Sequence, residues 1–244
     1  MKILLAPSET KKSGGTEPFI LENLLFDDLL VHRKSLIAQY QALLNSDNIP
    51  LLSKMFGLKK EADIRSYKKE IIHEPAMKAI ERYTGVAFDY LAYEKLSKES
   101  KTYINTHVIL FSNLFGPMRA SDLIPEYKLK QGEAIGEIKT EKFYHIHSAD
   151  LIEAYLANDE ILDLRAGFYD KFYKPQKSYT TLKFMKEGKV VSHWAKAYRG
   201  IVLKEIAKAN IKTLEEFIKL PIEGLTIQEI QTIKNKTEIT YQIG

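Results

Sequence analysis

The 244-residue chain contains no cysteine. Disulfides, thiolate catalysis and any zinc or iron–sulfur site built on cysteine are therefore excluded. No apolar run approaches the roughly 18 residues that a membrane-crossing helix needs. No secretory leader is expected either, since Lys2 precedes a very short apolar run, which Pro7, Ser8 and Glu9 break. There is no glycine-rich phosphate loop, GxSxG elbow or HExxH pair, so neither a cofactor nor a metal ligand set is expected. Linkers, repeats and low-complexity tracts are lacking as well. The expectation is a cytoplasmic protein with no membrane partner, folded as one domain over residues 1–244. At 45% hydrophobic residues it can fill a proper core.

What the chain does contain is a repeated form, an apolar run that discharges into a polar turn. Val108–Phe111 is followed by Ser112-Asn113, the turn at Gly116-Pro117, and then Arg119, Asp122, Tyr127 and Lys128. Lys2–Ala6 leads into Pro7-Ser8-Glu9-Thr10-Lys11-Lys12, and Glu160–Leu164 into Arg165–Lys171. Lys189–Trp194 leads into Ala195–Gly200. Short continuous apolar runs read as strands buried on both faces, and ligand groups in open α/β sheets gather beyond the carboxyl ends of such strands. If the four strands share one sheet and one direction, their turns meet at one edge.

Charge is concentrated rather than large. The net charge is +4, yet residues 167–208 carry ten Lys or Arg against three acids, a local +7. Tyr169, Tyr173, Tyr179, Trp194 and Tyr198 lie among these cations. Cations for phosphate and aromatic faces for bases are what a polyanion or nucleotide site needs; a Lys-rich surface serving only solubility has the same composition.

Between the strands the pattern is helical. Leu21–Leu44 shows an amphipathic repeat. Ile49–Gly57 and Glu61–Ile72 flank Gly57-Leu58-Lys59-Lys60, the outline either of a helix-hairpin-helix that meets phosphate or of a plain αα-hairpin. Further helices are expected from Glu74 to Tyr83, Tyr90 to Lys101, Glu141 to Leu156 and Ala195 to Ala209. Thr213 with Glu216 makes a capping box. Lys177–Met185 with Lys189–Trp194, and Gly224–Ile230 with Thr237–Ile243, read as hairpins.

Individual chemical candidates are few. On a helix His145 and His147 point far apart, which disfavours chelation. Ser8 and Ser112 follow strands, but no His–Asp partner can be assigned to either. Arg119, Arg165 and Arg199 could each fork onto a phosphate or pair with Asp122 or Asp163. Lys196 and Arg199, three apart at a helix start, are expected to face the same site as Arg119.

Four blocks carry a family resemblance: Leu5-Ala6-Pro7-Ser8-Glu9-Thr10-Lys11; Tyr83-Thr84-Gly85; Ser112–Leu129 with its Gly116-Pro117-Met118-Arg119 core; and Ala195-Lys196-Ala197-Tyr198-Arg199-Gly200. In this order and spacing the chain resembles the peroxide stress protein YaaA family over nearly its whole length. That resemblance implies an α/β protein, a mixed β-sheet flanked by helices, with a helix-hairpin-helix over Leu51–Lys68 and a positively charged cleft. It also implies binding of double-stranded DNA and a part in limiting damage driven by free iron. The chain departs from the family at Leu164–Tyr169, where a serine and a glutamate are absent, and at Tyr127–Gln131, where a methionine is. The residues expected to meet DNA or another anion are Lys11, Gly57, Lys59, Lys60, Arg119, Tyr127, Lys128, Lys171, Lys196 and Arg199. The first expectation is DNA binding without catalysis. The alternative is an enzyme acting on a nucleotide or nucleobase in a basic pocket at the strand ends.

Overall fold

Parallel strands that neighbour one another must be separated in sequence by crossovers, and the chain follows that rule. The computed structural model describes residues 1–244, the side chains of Ser192 and His193 excepted. Strand β1 (Lys2–Leu5) is followed by helices α1 (Leu30–Asn45), α2 (Ile49–Phe56) and α3 (Glu61–Ser66). Then come β2 (Ala76–Lys78), α4 (Ala79–Arg82), α5 (Val86–Leu91) and α6 (Lys98–His107), which runs directly into β3 (Val108–Ser112). Strands β4 (Gly116–Arg119), β5 (Leu123–Pro125), β6 (Ala134–Ile135) and β7 (Ile138–Lys139) precede α7 (Thr140–Tyr155). The last third holds β8 (Ile161–Asp163), β9 (Tyr179–Lys186), β10 (Lys189–Val190), α8 (Ser192–Ala209), α9 (Leu214–Lys219), β11 (Leu225–Ile233) and β12 (Lys236–Ile243).

The main sheet has the order β11-β12-β9-β8-β1-β3-β4, with β10 folded back on β9. Strands β12, β9, β8, β1 and β3 are parallel to one another, while β11 and β4 close the two ends antiparallel. The result is a mixed α/β fold with a central, mostly parallel sheet flanked by helices. Its middle strands are apolar without alternation because both faces are covered: Ile3, Leu4, Val108, Leu110, Phe111, Ile161 and Leu162 are each 0% exposed. Register places Ile3 beside Val108 and Lys2 beside Ile161. The chain therefore leaves β1, β3 and β8 at one edge.

Three of the four strand-to-turn units expected from sequence converge in this way; the fourth does not. Only Lys189–Val190 pairs, antiparallel to β9, and α8 already begins at Ser192. The parallel strand of the basic third is instead β9. Helical expectations also needed trimming. Residues 21–29 form two 3-10 turns before α1, with Phe26 at φ 71° between them. Ala76–Lys78, expected as helix, pairs with β5 as a strand, since its backbone meets the extended Leu123–Pro125. Leu91 ends α5, where Ala92 takes a left-handed conformation, and only a 3-10 turn at Tyr93–Lys95 precedes the next α-helix at Lys98. The Thr213–Glu216 capping box and the β11–β12 hairpin form as the pattern indicates.

Two buried arginines bind the loops to this frame. Arg33 is 1% exposed and donates to the carbonyls of Phe115 (2.9 Å), Leu25 (2.7 Å), Phe26 (3.2 Å) and Pro117 (2.7 Å). Arg82, 0% exposed, does the same for Lys12 (2.6 Å), Pro75 (2.9 Å) and Ile124 (3.1 Å). A guanidinium has five donors in a fixed fork, so each arginine can staple several turns that have no ladder of their own.

Candidate functional site

Beyond the carboxyl ends of β1 and β8 lies a cleft of about 320 Å³. The turn Pro7–Thr10, the segment Thr84–Phe88, Gln131, Leu164, Ala166, Tyr169, Lys196 and Arg199 line it. Local bonding fixes each wall. Ser8 Oγ accepts the Thr10 N–H at 3.3 Å, and Thr10 Oγ1 donates to the Thr84 carbonyl at 3.1 Å. Gly85 sits at φ +97°, and a β-carbon there would crowd Thr10 Oγ1 at 3.1 Å and Ser8 Oγ at 3.2 Å. Only glycine accepts that angle without strain, which explains the Tyr83-Thr84-Gly85 block. Helix α5, whose N-cap is Gly85, packs against α8 at Gly200, where a β-carbon would fall onto the Ala87 carbonyl. This backbone contact is what brings Lys196 and Arg199 to the cleft.

Lys11 crosses beneath the Ser8–Glu9 turn. Its Nζ donates to the carbonyls of Ser8 (3.3 Å) and Glu9 (3.5 Å) and lies 4.0 Å from the Tyr127 ring centre and 5.3 Å from that of Tyr83. Burial, followed by the neighbouring ammonium of Lys128, pushes the Lys11 amine down to about 7, with Glu9 and Glu126 opposing weakly. Behind the rings runs a chain of hydroxyls. Tyr83 and Tyr127 are 2.9 Å apart, and Tyr127 is 2.7 Å from Ser112 Oγ. Ser112 Oγ also accepts the N–H groups of Leu114 (3.1 Å) and Phe115 (2.9 Å). Burial raises Tyr127 to about 12 and Tyr83 well above its usual value, so both stay protonated at neutral pH. Among the described residues no histidine contacts Ser112; its partners are the tyrosine and two backbone amides.

The arginines sort cleanly. Arg165 is fixed on Asp163 (Nη2 to Oδ2 2.7 Å, Nε to Oδ1 2.9 Å) and lies 4.3 Å from the Phe111 ring centre. It is a structural clasp. Arg119 pairs with Asp122 at 3.4 Å and stands opposite Ile109, near the start of β3 rather than its end. The expectation that it shares a site with Lys196 and Arg199 is overturned, because an antiparallel return strand carries its last residue to the far edge. Arg199 has no hydrogen bond or ion pair among the described residues. Burial draws its guanidinium below the usual value, with Asp163 opposing. Lys196 is exposed and also without an ion pair among them. Both sit beyond the first turn of α8, which begins at Ser192 rather than Ala195, so the free N–H groups of the helix start are not beside them.

None of the remaining expected residues lines this cleft; the segment Lys128–Gln131 reaches it through Gln131. Lys128 Nζ donates to the Glu9 carbonyl at 3.4 Å, and the Gln131 N–H donates to Glu9 Oε1 at 3.1 Å. Between them, the Lys130 N–H donates to the Met55 carbonyl at 2.9 Å. There the α2–α3 turn packs: Gly57, at φ +67°, lies against the Lys130 side chain. Lys59 and Lys60 follow, exposed. Lys171 closes the 3-10 turn Gly167–Lys171, 5.1 Å from the Phe168 ring centre, and Phe168 in turn approaches Gly132. His145 and His147 lie on α7, where the His147 ring stacks on His32 at 3.7 Å. Sequence reasoning overlooked Glu9 and Tyr169 as cleft residues. Glu9 was within reach, as it stands in the same turn as Lys11.

The fold is that of a mixed α/β protein with a central, mostly parallel sheet flanked by helices, with a cleft beyond the ends of β1 and β8. The family profile described as "Peroxide stress protein YaaA" matches residues 1–231. An uncharacterized protein of Campylobacter jejuni is 43% identical over 244 residues, covering 100% of this chain and 99% of that one. A UPF0246 protein of Corynebacterium efficiens is 32% identical over 252 residues, with 100% and 96% covered. One from Fusobacterium nucleatum is 28% identical over 238 residues, 94% of each chain. The chain belongs to the peroxide stress protein YaaA family.

Proposed function

We propose that this protein serves in peroxide stress by binding double-stranded DNA, largely without sequence preference, along a basic surface formed by the strand-end cleft and the α2–α3 hairpin. The observation that carries this reading is Arg199, a guanidinium drawn into the cleft with no acidic partner among the described residues. A half-buried cation with no ion pair among the described residues has donors to spare, and a phosphate would take them. Lys196 lines the same cleft, Lys11 and Lys128 donate to carbonyls of its Ser8–Glu9 wall, and none of the three has a carboxylate ion pair among the described residues; Lys59 and Lys60 add exposed cations on the hairpin. In this reading α2–α3 is a helix-hairpin-helix whose turn meets the duplex backbone. Protection against iron-driven damage follows from covering DNA, because cations and rings, rather than metal ligands, gather at the cleft.

Fluorescence anisotropy with a short duplex tests this. Binding is expected at low salt, weakening steeply as salt rises through counter-ion release. No binding at low ionic strength sinks the reading.

A second reading has its own supporting observation. A concave cleft of about 320 Å³, bordered by Lys196 and Arg199, suits a nucleotide-sized substrate better than a flat polyanion surface. Here the protein acts as an enzyme on a nucleotide or nucleobase. Thermal shift against a panel of nucleotides separates the two: stabilisation by mononucleotides with no duplex affinity favours the enzyme.

A further inference from the structure

The cleft beyond β1 and β8 draws its polar side chains from separate elements. Lys196 and Arg199 both come from α8, where a spacing of i and i+3 puts them on one helix face. Glu9 comes from the turn after β1, and Gln131 lines the cleft beside it. The Gln131 N–H donates to Glu9 Oε1 at 3.1 Å, which ties the two residues side by side. Beyond that bond both side chains are free: Glu9 has no ion pair and the Gln131 side-chain amide no hydrogen bond among the described residues. Leu164 and Tyr169 add apolar lining.

We propose that the cleft binds guanosine 5′-monophosphate, with its phosphate on Lys196 and Arg199 and the edge of its base on Glu9 and Gln131. This rests on the nucleotide reading of the cleft and not on duplex binding.

Size is the first argument. A volume of about 320 Å³ is at the small end of ligand pockets and suits one nucleotide, with no room for a double helix. The second is the pair of cations, since a guanidinium fork with free donors matches a phosphate and an ammonium adds charge beside it. The third is the order of donors and acceptors. An ionised carboxylate only accepts, whereas a primary amide carries N–H donors. Side by side, Gln131 and Glu9 can offer one donor followed by two acceptors. Guanine presents the complement in a row, with O6 accepting and N1–H and N2–H donating. Adenine and cytosine would turn a ring-nitrogen lone pair toward the carboxylate. Uracil and thymine have a single N–H between two carbonyls. Each of these leaves an acceptor facing an acceptor, and a polar group left unpaired in this way is what makes a site selective. An acidic side chain can also hold the hydroxyls of a ribose. The amide donor fixed beside Glu9, which a diol does not require, favours the base.

Calorimetric titration of the intact protein with three nucleotides tests this. Inosine 5′-monophosphate keeps O6 and N1–H but lacks the N2 amine, and should bind about tenfold more weakly than the guanosine nucleotide. Adenosine 5′-monophosphate should be weaker by about a hundredfold. Glu9→Gln keeps an oxygen to accept the Gln131 N–H, and should bring the three affinities within about threefold of one another. Arg199→Ala should weaken all three about equally, by about tenfold, and leave their ratios unchanged. Equal affinities in the wild-type chain, all falling in Glu9→Gln, would put the carboxylate on the ribose. That result overturns the guanine assignment while the nucleotide reading stands. Failure of the wild-type chain to bind any of the three overturns both. Because the ranking is measured on the wild-type chain, a misfolded variant cannot hide the answer.

Discussion

Arg33 and Arg199 are both arginines drawn into the protein, and burial lowers both guanidinium groups, yet they live in opposite circumstances. Arg33 spends its donors on four backbone carbonyls and holds the Leu25–Phe26 and Phe115–Pro117 turns together. Arg199 has no such partners among the described residues and borders an open cleft. The same side chain is a structural staple where its donors are consumed and, in the proposed reading, a ligand group where they are left over. Hydrogen-bond bookkeeping, more than burial or charge, separates scaffold from site. Arg165 confirms the rule from the other direction. It lies at a strand end near the cleft, but the two-pronged contact with Asp163 makes it scaffold.

The comparison can be broken by experiment, beginning with the staple. Arg33→Met leaves four carbonyls without their donor, and unfolding by urea should show a loss of about 4 kcal/mol or more. Binding per folded molecule is expected to be secondary to that loss. Next comes the packing of the scaffold. Gly116 adopts φ +72°, and a β-carbon there would collide with the Tyr144 ring. Gly116→Ala should therefore cost about 3 kcal/mol, combining left-handed strain with overpacking; a loss under about 0.5 kcal/mol would contradict this geometry.

On the site side the order of effects inverts. Arg199→Ala should change stability by less than about 1 kcal/mol while lowering duplex affinity about tenfold and reducing the salt slope by about one. An unchanged slope would mean that Arg199 meets no phosphate. Lys11 sharpens the contrast through pH. Its folded value, about 7, lies below that of an unfolded lysine, so the unfolded chain binds the extra proton. The stability of wild type relative to Lys11→Met should thus rise with pH from about 7 to 9, read by urea midpoints at each pH. A difference that falls over this range would refute the burial argument. The smallest effect is expected at Arg119, which is paired with Asp122 away from the cleft. Arg119→Ala should leave duplex affinity within about twofold.

The chain by itself determined the strands and their roles. The short apolar runs Ile3–Ala6, Val108–Phe111 and Ile161–Leu162 show no alternation and so read as strands buried on both faces, which requires neighbours and crossovers. The capping box at Thr213 and the turn at Gly57 are likewise local, since a hydroxyl three residues from a glutamate, or a glycine able to take φ +67°, acts without distant help. Lys11, Tyr127, Lys128, Lys196 and Arg199 were legible as site candidates because each follows a strand-end turn or a basic block. What only the tertiary structure decided is which cations remain unpaired. Arg119, Arg165 and Arg199 look alike in sequence, but an antiparallel return strand carries the first away and Asp163 claims the second. The backbone contact of Gly200 with Ala87 delivers the third to the cleft. Pairing is settled by approach across tens of residues, and no local pattern encodes a distance of that kind.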